Sequence, residues 1–480
     1  MRKLAVLLCF VCLSAFLFSS CLVLREKESA PNLPVPSEEA PAAEEPAASE
    51  AESPESESAE ETEEEPWSFE EFFGDPIPAE ESVEPAEPDE LPEPEEAPLP
   101  EELPEDELPP EDELPPEEQP PEEQPPEEKL LGRFADSPVS VTFVAAGDNL
   151  IHPNIYMDAE YRGWEGKPYN FLPMYADVRE EIAAADVAFI NQETVMAGAE
   201  YGYSGYPCFN CPRQLGYDLV ELGFDVVNLA NNHMLDRAAD GLASTIEFWN
   251  SQPVTQLGGY LDERDSMTVR TTEAGGVTFA WLSYTYGTNG IVKAASSPLV
   301  IPYIDDGIIL RDLAAAEEVG DFTIVSIHWG DENTQAVNGE QRRLAELLAQ
   351  NGADVILGHH SHTLQPIEWI ETERGRTLCI YSLGNFASGM AAPANMVGGL
   401  LHFTVRSDEQ GFLTVDEVYF DPTVFFYDMD WFSTHIYHLW DYTASIADAH
   451  GLALSGYSLS PEAAEAYVSA VMDDEFRMLS

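Results

Sequence analysis

The chain reads as an α/β domain carried behind a long acidic, proline-rich tether. From Val139 onward, short β-branched runs alternate with helix-like segments, as strands and crossover helices do. Several of those runs stop in clusters of Asp, Glu, Asn and His, the residues open α/β sheets gather at the carboxyl ends of their strands. Upstream of Val139, the composition is too polar and too uniformly charged to bury a core.

The first element is an export segment. Met1-Arg2-Lys3 precedes an uncharged apolar run over 4–24, a secretory signal or signal anchor. Leu17-Phe18-Ser19-Ser20-Cys21 looks like a lipoprotein cleavage box with Phe18 where Leu is usual, so Cys21 is the candidate lipidation site. An uncleaved anchor and a soluble secreted product are the alternatives. Each of the three places the rest of the chain outside the cytoplasm, and the first reading puts it on the extracellular face of the membrane. The organisation expected is a signal over 1–21, a disordered linker over 22–135, a folded domain over 138–422 and a helical extension over 423–480.

The linker holds 41 acidic residues against two lysines between 26 and 130, and ends in near-repeats of E-L-P-P-E and Q-P-P-E-E. Pro-rich, self-repelling sequence is extended, and roughly 100 such residues span on the order of 200 Å or more. It reads as a stalk. The island Trp67-Ser68-Phe69-Glu70-Glu71-Phe72-Phe73 is either a docking peptide or a stray apolar cluster. Overall 21 basic residues face 90 acidic ones, a net charge of −69. That balance argues against a nucleic-acid partner, which needs clustered Lys and Arg, and against an anionic lipid surface. Cys208 and Cys211 are a disulfide or two loop thiols.

Strands are expected over 139–146, 187–191, 225–229, 322–327, 354–357 and 377–382, with helices over 178–185, 215–222, 241–249 and 342–350. A hairpin joins 400–405 to 413–420. Helices are expected over 430–450 and 461–478, the latter after a Ser460-Pro461 start signal. His435, His438 and His450 read as surface or packing residues.

Six of the ten histidines, His152, His233, His328, His359, His360 and His362, follow strands, a concentration that packing alone does not produce. With Asp148, Glu193 and Asn232 they form a nitrogen/oxygen donor set without thiolate. Such a set suits one or two divalent ions, manganese, iron, zinc or cobalt. Paired ions would activate water and clamp an oxyanion, and a spare histidine would protonate a leaving oxygen. No G-x-S-x-G elbow, P-loop or G-x-G-x-x-G follows a strand.

The ordered motifs G-D-N-L-I-H (147–152), N-Q-E-T (191–194), N-L-A-N-N-H-M-L-D (228–236), H-W-G-D-E (328–332), G-H-H-S-H-T-L-Q-P (358–366) and Y-S-L-G-N-F (381–386) closely resemble the CapA family. These are bacterial capsule-synthesis proteins tied to poly-γ-glutamate, and they look like a branch of the calcineurin-like metallophosphoesterases. The resemblance runs from about Val139 to about Phe420. It implies a four-layer α/β/β/α sandwich with its site at the strand ends. It implies Asp148 as a first-strand metal ligand, Glu193 as a bridging carboxylate, and Asn232, His328, His360 and His362 as further ligands. His233 is implied as proton donor with Asp236 orienting it, and Asn385 and His152 as substrate contacts; His359 has no assigned role. The phosphoesterase D-x-H pattern would need His at 150, where this chain has Leu150, and N-Q-E replaces G-D-x-x-D. One ion, or a rearranged set, is the expectation. The partners implied are a membrane, a polyanionic capsule polymer and synthase or export subunits. The other readings are a secreted metallophosphoesterase acting on phosphoesters and a non-catalytic polymer-binding accessory.

Overall fold

Two β-sheets face one another, and side chains along central strands such as β6 alternate between two cores. The computed structural model describes residues 132–478; the signal segment, Cys21 and the 67–73 island lie outside them. The first run of elements is β1 (Ser140–Leu150), α1 (Pro153–Tyr161), α2 (Arg179–Ala184), β2 (Val187–Asn191), α3 (Gln214–Leu222), β3 (Val226–Asn228), α4 (Ala238–Asn250) and β4 (Thr255–Leu257). The second is β5 (Arg270–Ala274), β6 (Val277–Thr285), α5 (Asp306–Val319), β7 (Phe322–His328), α6 (Gly339–Gln350), β8 (Val355–His359), β9 (Ile367–Thr372) and β10 (Gly375–Ile380). β11 (Asn385–Ser388), β12 (Val397–Ser407), β13 (Leu413–Phe426), β14 (His435–His438) and α7 (Pro461–Ser469) complete the chain. One sheet is ordered β14-β13-β12-β1-β2-β3-β4 with β11 beside the end of β1, and the other β5-β6-β7-β8-β10-β9.

The sequence of β6 shows how the layers arise. Val277, Phe279 and Trp281 enter the core between the sheets, while Ala280, Leu282 and Tyr284 pack with Ile309 and Leu313 of α5 and Leu344 and Leu348 of α6. Phe279 meets Phe143 of β1 edge-on at 4.8 Å, and Trp281 stacks on Phe189 of β2 at 5.7 Å. Ile155, Ile182, Leu219 and Ile246 of α1 to α4 are buried on the first sheet's other side. The protein is the four-layer α/β/β/α sandwich. Fully buried parallel strands need apolar residues on both faces, which is why Val187–Asn191 reads V-A-F-I-N and is buried throughout.

Local signals set the helix limits. Asn338 and Gln341 close a reciprocal capping box at the start of α6, and Gly223, at φ 109°, ends α3 in the left-handed conformation. The expected strands and helices of the domain recur within a few residues. Four expectations need correction. Residues 430–450 are not a helix: His435–His438 is strand β14, and Ala444–Asp448 makes a single helical turn. The boundary at 422 falls inside β13, which continues to Phe426 and pairs with β14, so 423–438 extends the sheet. The last helix stops at Ser469 rather than 478. The linker end at 135 also lies too far along, because Phe134 is buried in the main core and Gly132 donates to the Gln410 carbonyl. No helix among the described residues is long and apolar enough to cross a membrane.

Candidate metal centre

The carboxyl ends of β1, β2, β3, β7 and β8 converge on one rim, and the first residue they place is Asp148. β1 carries one extra residue against β2, the pairing shifting between Ala146 and Asp148. The bulge re-aims the side chain toward the opposing sheet. There Asp148 Oδ1 accepts from Asn191 Nδ2 at 2.7 Å and Oδ2 accepts from the His360 backbone N–H at 3.3 Å. Asn191 Oδ1 in turn accepts from Asn228 Nδ2 at 2.8 Å, and Asn228 Oδ1 accepts from Ser283 Oγ of the other sheet. Each amide both donates and accepts, so this relay fixes the carboxylate in one orientation. β11 pairs in parallel with β1, Asp148 opposite Asn385, and Asn385 Oδ1 lies 3.0 Å from His362 Nδ1.

His328 and His359 end β7 and β8 on the face that Ile324 and Leu357 present to the sheet–sheet core. His360 and His362 follow with φ of 96° and 55°. Non-glycine residues rarely hold such angles, which cost of order 1–3 kcal/mol each and collect at functional sites. His362 Nδ1 is 3.2 Å from Asp148 Oδ2, and its Nε2 is 3.7 Å from Glu193 Oε1. His328 Nε2 is 3.7 Å from the same Glu193 oxygen and 2.9 Å from Asn232 Oδ1. His359 Nδ1 lies 3.6 Å from Asp148 Oδ1 while its ring stacks on Phe189, which places this unassigned histidine beneath the aspartate. Asp148, Glu193, Asn232, His328, His360 and His362 therefore meet in one cluster.

His233 lies beside it, its Nδ1 2.8 Å from Asp236 Oδ2. His152 and His233 both stand edge-on to Phe209, at 5.0 and 4.8 Å, so His152 joins the neighbourhood through that ring. His152 Nδ1 accepts the Gly389 N–H at 3.0 Å.

The electrostatics are those of a site with more acceptors than protons. Glu193 is completely buried, and neither carboxylate oxygen has a hydrogen-bond partner. Burial, together with Asp148, holds its pKa well above the ordinary carboxylate range. Burial opposes the charge of His362, yet Glu193 and Asp148 prevail and raise it to about 10. Burial likewise opposes the charge of Asp148, which His362 and His359 nevertheless keep below its usual value. Burial lowers His360 to about 3 and His359 to about 4, and with His360 beside it holds His328 well below its usual value. Neutral imidazoles keep a lone pair for a cation. The unpaired Glu193 oxygens and the nitrogen/oxygen donor set fit a divalent ion.

Two positions emerge, both using His362, which gives up its proton when it binds an ion. Ligand atoms of Asp148, Glu193 and His362 lie within 4.8 Å of one another, and so do those of Glu332, His360 and His362. Glu332, the last residue of the H-W-G-D-E motif, was not singled out from the sequence; its place four residues after His328 was the available signal. Asn191, Asn228 and Tyr286, whose ring packs on His360 at 4.5 Å, also escaped notice. Cys208 and Cys211 are free thiols.

Fold and rim together define a two-sheet α/β protein with a cluster of candidate metal ligands at the strand ends. Residues 142–390, just over half of the chain, match the family model described as bacterial capsule synthesis protein PGA_cap, and the chain belongs to that family. Among curated relatives, the PGA biosynthesis protein CapA of Bacillus subtilis is 31% identical over 195 residues, covering 40% of this chain and 50% of the relative. The capsule biosynthesis protein CapA of Bacillus anthracis is 28% identical over 200 residues, covering 41% and 47%. The chain thus spans about half the length of the curated relatives it matches. A solved calcineurin-like phosphoesterase, YfkN of Bacillus subtilis, aligns at 12% identity and TM-score 0.36 over 69% of this chain and 96% of that one.

Proposed function

We propose that this chain is an exported, cell-surface protein of poly-γ-glutamate capsule biosynthesis or export, with a metal-dependent hydrolase-like site. The observation that carries the site is Glu193, a buried carboxylate with two unpaired oxygens between His328 and His362. Family membership and the names of the CapA relatives support the capsule assignment. In this reading Asp148, Glu193, Asn232, His328, His360 and His362 hold one or two divalent ions, with manganese, iron and zinc the candidates, and Glu332 completes the outer position. A bound cation supplies Lewis acidity to an oxyanion. Asp236 Oδ2 holds the His233 Nδ1 proton, which leaves Nε2 to deliver a proton to a leaving group. Asn385 and His152 line the substrate side. The signal segment, with Cys21 as lipid acceptor, brings the domain to the outer membrane face, where synthase or export subunits are the partners.

Charge makes a demand on this reading. The chain carries −69 and a γ-glutamyl polymer is a polyanion, so long-range forces oppose their meeting. Cations at the rim compensate only within about 8 Å at physiological salt. Manganese-loaded full-length protein is incubated with γ-glutamyl polymer and with a generic phosphodiester. Metal-dependent cleavage of the polymer, lost in His233→Ala, is expected. Cleavage of the phosphodiester alone would favour a general phosphoesterase. A metal-bound protein that turns over neither, yet binds polymer more tightly with metal than with chelator, would make it a non-catalytic accessory.

A further inference from the structure

A second group of titratable side chains gathers on the opposite face of the first sheet. Phe403 of β12 stacks on Phe143 in the sheet–sheet core at 4.7 Å, so its neighbour His402 faces the helices. Glu181 of α2, Asp421 of β13 and His438 of β14 meet it there. His402 Nε2 stands 3.2 Å from Glu181 Oε2, and His438 Nδ1 stands 3.0 Å from Asp421 Oδ2. His438 Nε2 is 3.5 Å from Glu181 Oε1.

These contacts are short but lack hydrogen-bond alignment. His402 Nε2, His438 Nδ1, Glu181 Oε1 and Asp421 Oδ1 are all buried and without a hydrogen-bond partner. Asp421 is only 1% exposed, so an unpaired carboxylate oxygen there is costly. Ligand atoms of Glu181, His402 and Asp421 lie within 4.8 Å of one another. Donors held about 2.0–2.1 Å from a tetrahedral ion stand roughly 3.3 Å apart, near the 3.2 Å between His402 Nε2 and Glu181 Oε2 and the 3.0 Å between His438 Nδ1 and Asp421 Oδ2. His438 Nε2 lies 3.2 Å from the Asp177 carbonyl, so Nδ1 is the nitrogen His438 offers an ion. Two imidazoles and two carboxylates form a set that zinc accepts.

We infer that Glu181, His402, Asp421 and His438 form a second cation site, structural in role and selective for a zinc-like divalent ion. The ion fastens edge strand β14 and helix α2 to the strands between them. The competing arrangement is a metal-free ion pair in which the His438 imidazolium itself serves the two carboxylates; burial opposes that charge, while Asp421 and Glu181 raise it to about 9.

The test uses the full chain with the rim cluster silenced by Glu193→Gln and His362→Gln. Equilibrium dialysis at low-micromolar free zinc, quantified by mass spectrometry, is expected to leave about one zinc per chain and a higher melting temperature than in chelator. Adding His402→Gln should take the bound zinc to near zero. Glu181→Gln, on a surface helix, should do the same, and a cooperative melt in chelator checks that each variant is folded. Absence of zinc from the silenced chain, or zinc unaffected by both substitutions, overturns the proposal in favour of the ion pair. Because the rim is already disabled, neither result depends on what the rim does.

Discussion

His233 Nδ1 and Asp236 Oδ2 lie 2.8 Å apart, and the same aspartate oxygen also accepts the Phe209 backbone N–H at 2.7 Å. Asp236 is thereby pinned to the chain before it receives the imidazole, which fixes the His233 ring and its tautomer. If His233 moves a proton in turnover, His233→Ala lowers kcat by about 10²–10⁴-fold with bound metal unchanged. Asp236→Asn gives a smaller loss, also at constant metal content, because it acts through the ring. Steady-state kinetics beside metal analysis checks both. A loss of metal from either variant would place His233 among the ligands instead.

Glu193 sets a second expectation. Burial holds its carboxyl well above the ordinary carboxylate range in the cation-free protein, so its charge adds little stability there, and Glu193→Gln keeps the shape while removing the acid. Metal affinity should fall more than about 100-fold, beyond the 10–100-fold typical of residues that merely support a ligand. The melting temperature in chelator should barely move. Were Glu193 instead one half of a structural ion pair, its removal would cost about 3–5 kcal/mol without metal. Calorimetric titration and thermal melts in chelator separate the two.

Glycines before the site histidines carry a packing role. A Cβ on Gly358 would sit 2.1 Å from the Tyr381 carbonyl oxygen and 2.7 Å from Trp329 Nε1, which donates to that carbonyl at 2.9 Å. Gly358→Ala is expected to cost about 1–3 kcal/mol and to weaken metal binding, since His359, His360 and His362 follow directly. Gly339→Ala, where a Cβ meets open space at the start of α6, serves as the neutral control. Urea denaturation with metal titration reads both.

Much of the rim was legible because strand ends announce themselves: an apolar run stops, and Asp148, Glu193 or His328 follows within about three residues. The four-layer sandwich itself came from the family resemblance, since alternation along one strand does not say how many sheets there are. What escaped were features that depend on a distant partner. Asn191 and Asn228 look like strand-end amides until Ser283 of the other sheet completes their relay to Asp148. In β14 the run His-Ile-Tyr-His buries Ile436 and His438 but leaves His435 and Tyr437 half-exposed, a period of two too short to read without β13 beside it. His438 reads as a surface or packing residue for the same reason: Glu181 lies far off in the chain, and Asp421 meets it only once β13 and β14 pair.

His450 supports a prediction about acid stability that is independent of either cation site. The side chain is buried beneath β13. Its Nδ1 accepts the Leu452 N–H at 3.2 Å, and Nε2 lies 3.1 Å from the Phe425 carbonyl, an arrangement only the neutral Nε2–H tautomer satisfies. Burial lowers its pKa from 6.5 to about 4, with the Phe425 carbonyl opposing the shift. The unfolded chain therefore takes up this proton before the folded one does. The stabilisation is fully present above about pH 6.5 and is lost as pH falls toward 4, an amount on the order of 3 kcal/mol. Other buried histidines contribute to the same slope, so the wild-type curve alone does not isolate it. His450→Gln removes one titrating group, and the difference in unfolding free energy between wild type and variant should shrink by that amount from pH 7 to pH 4. Urea denaturation at each pH measures it, and parallel pH curves for the two proteins would mean that His450 is protonated in the fold.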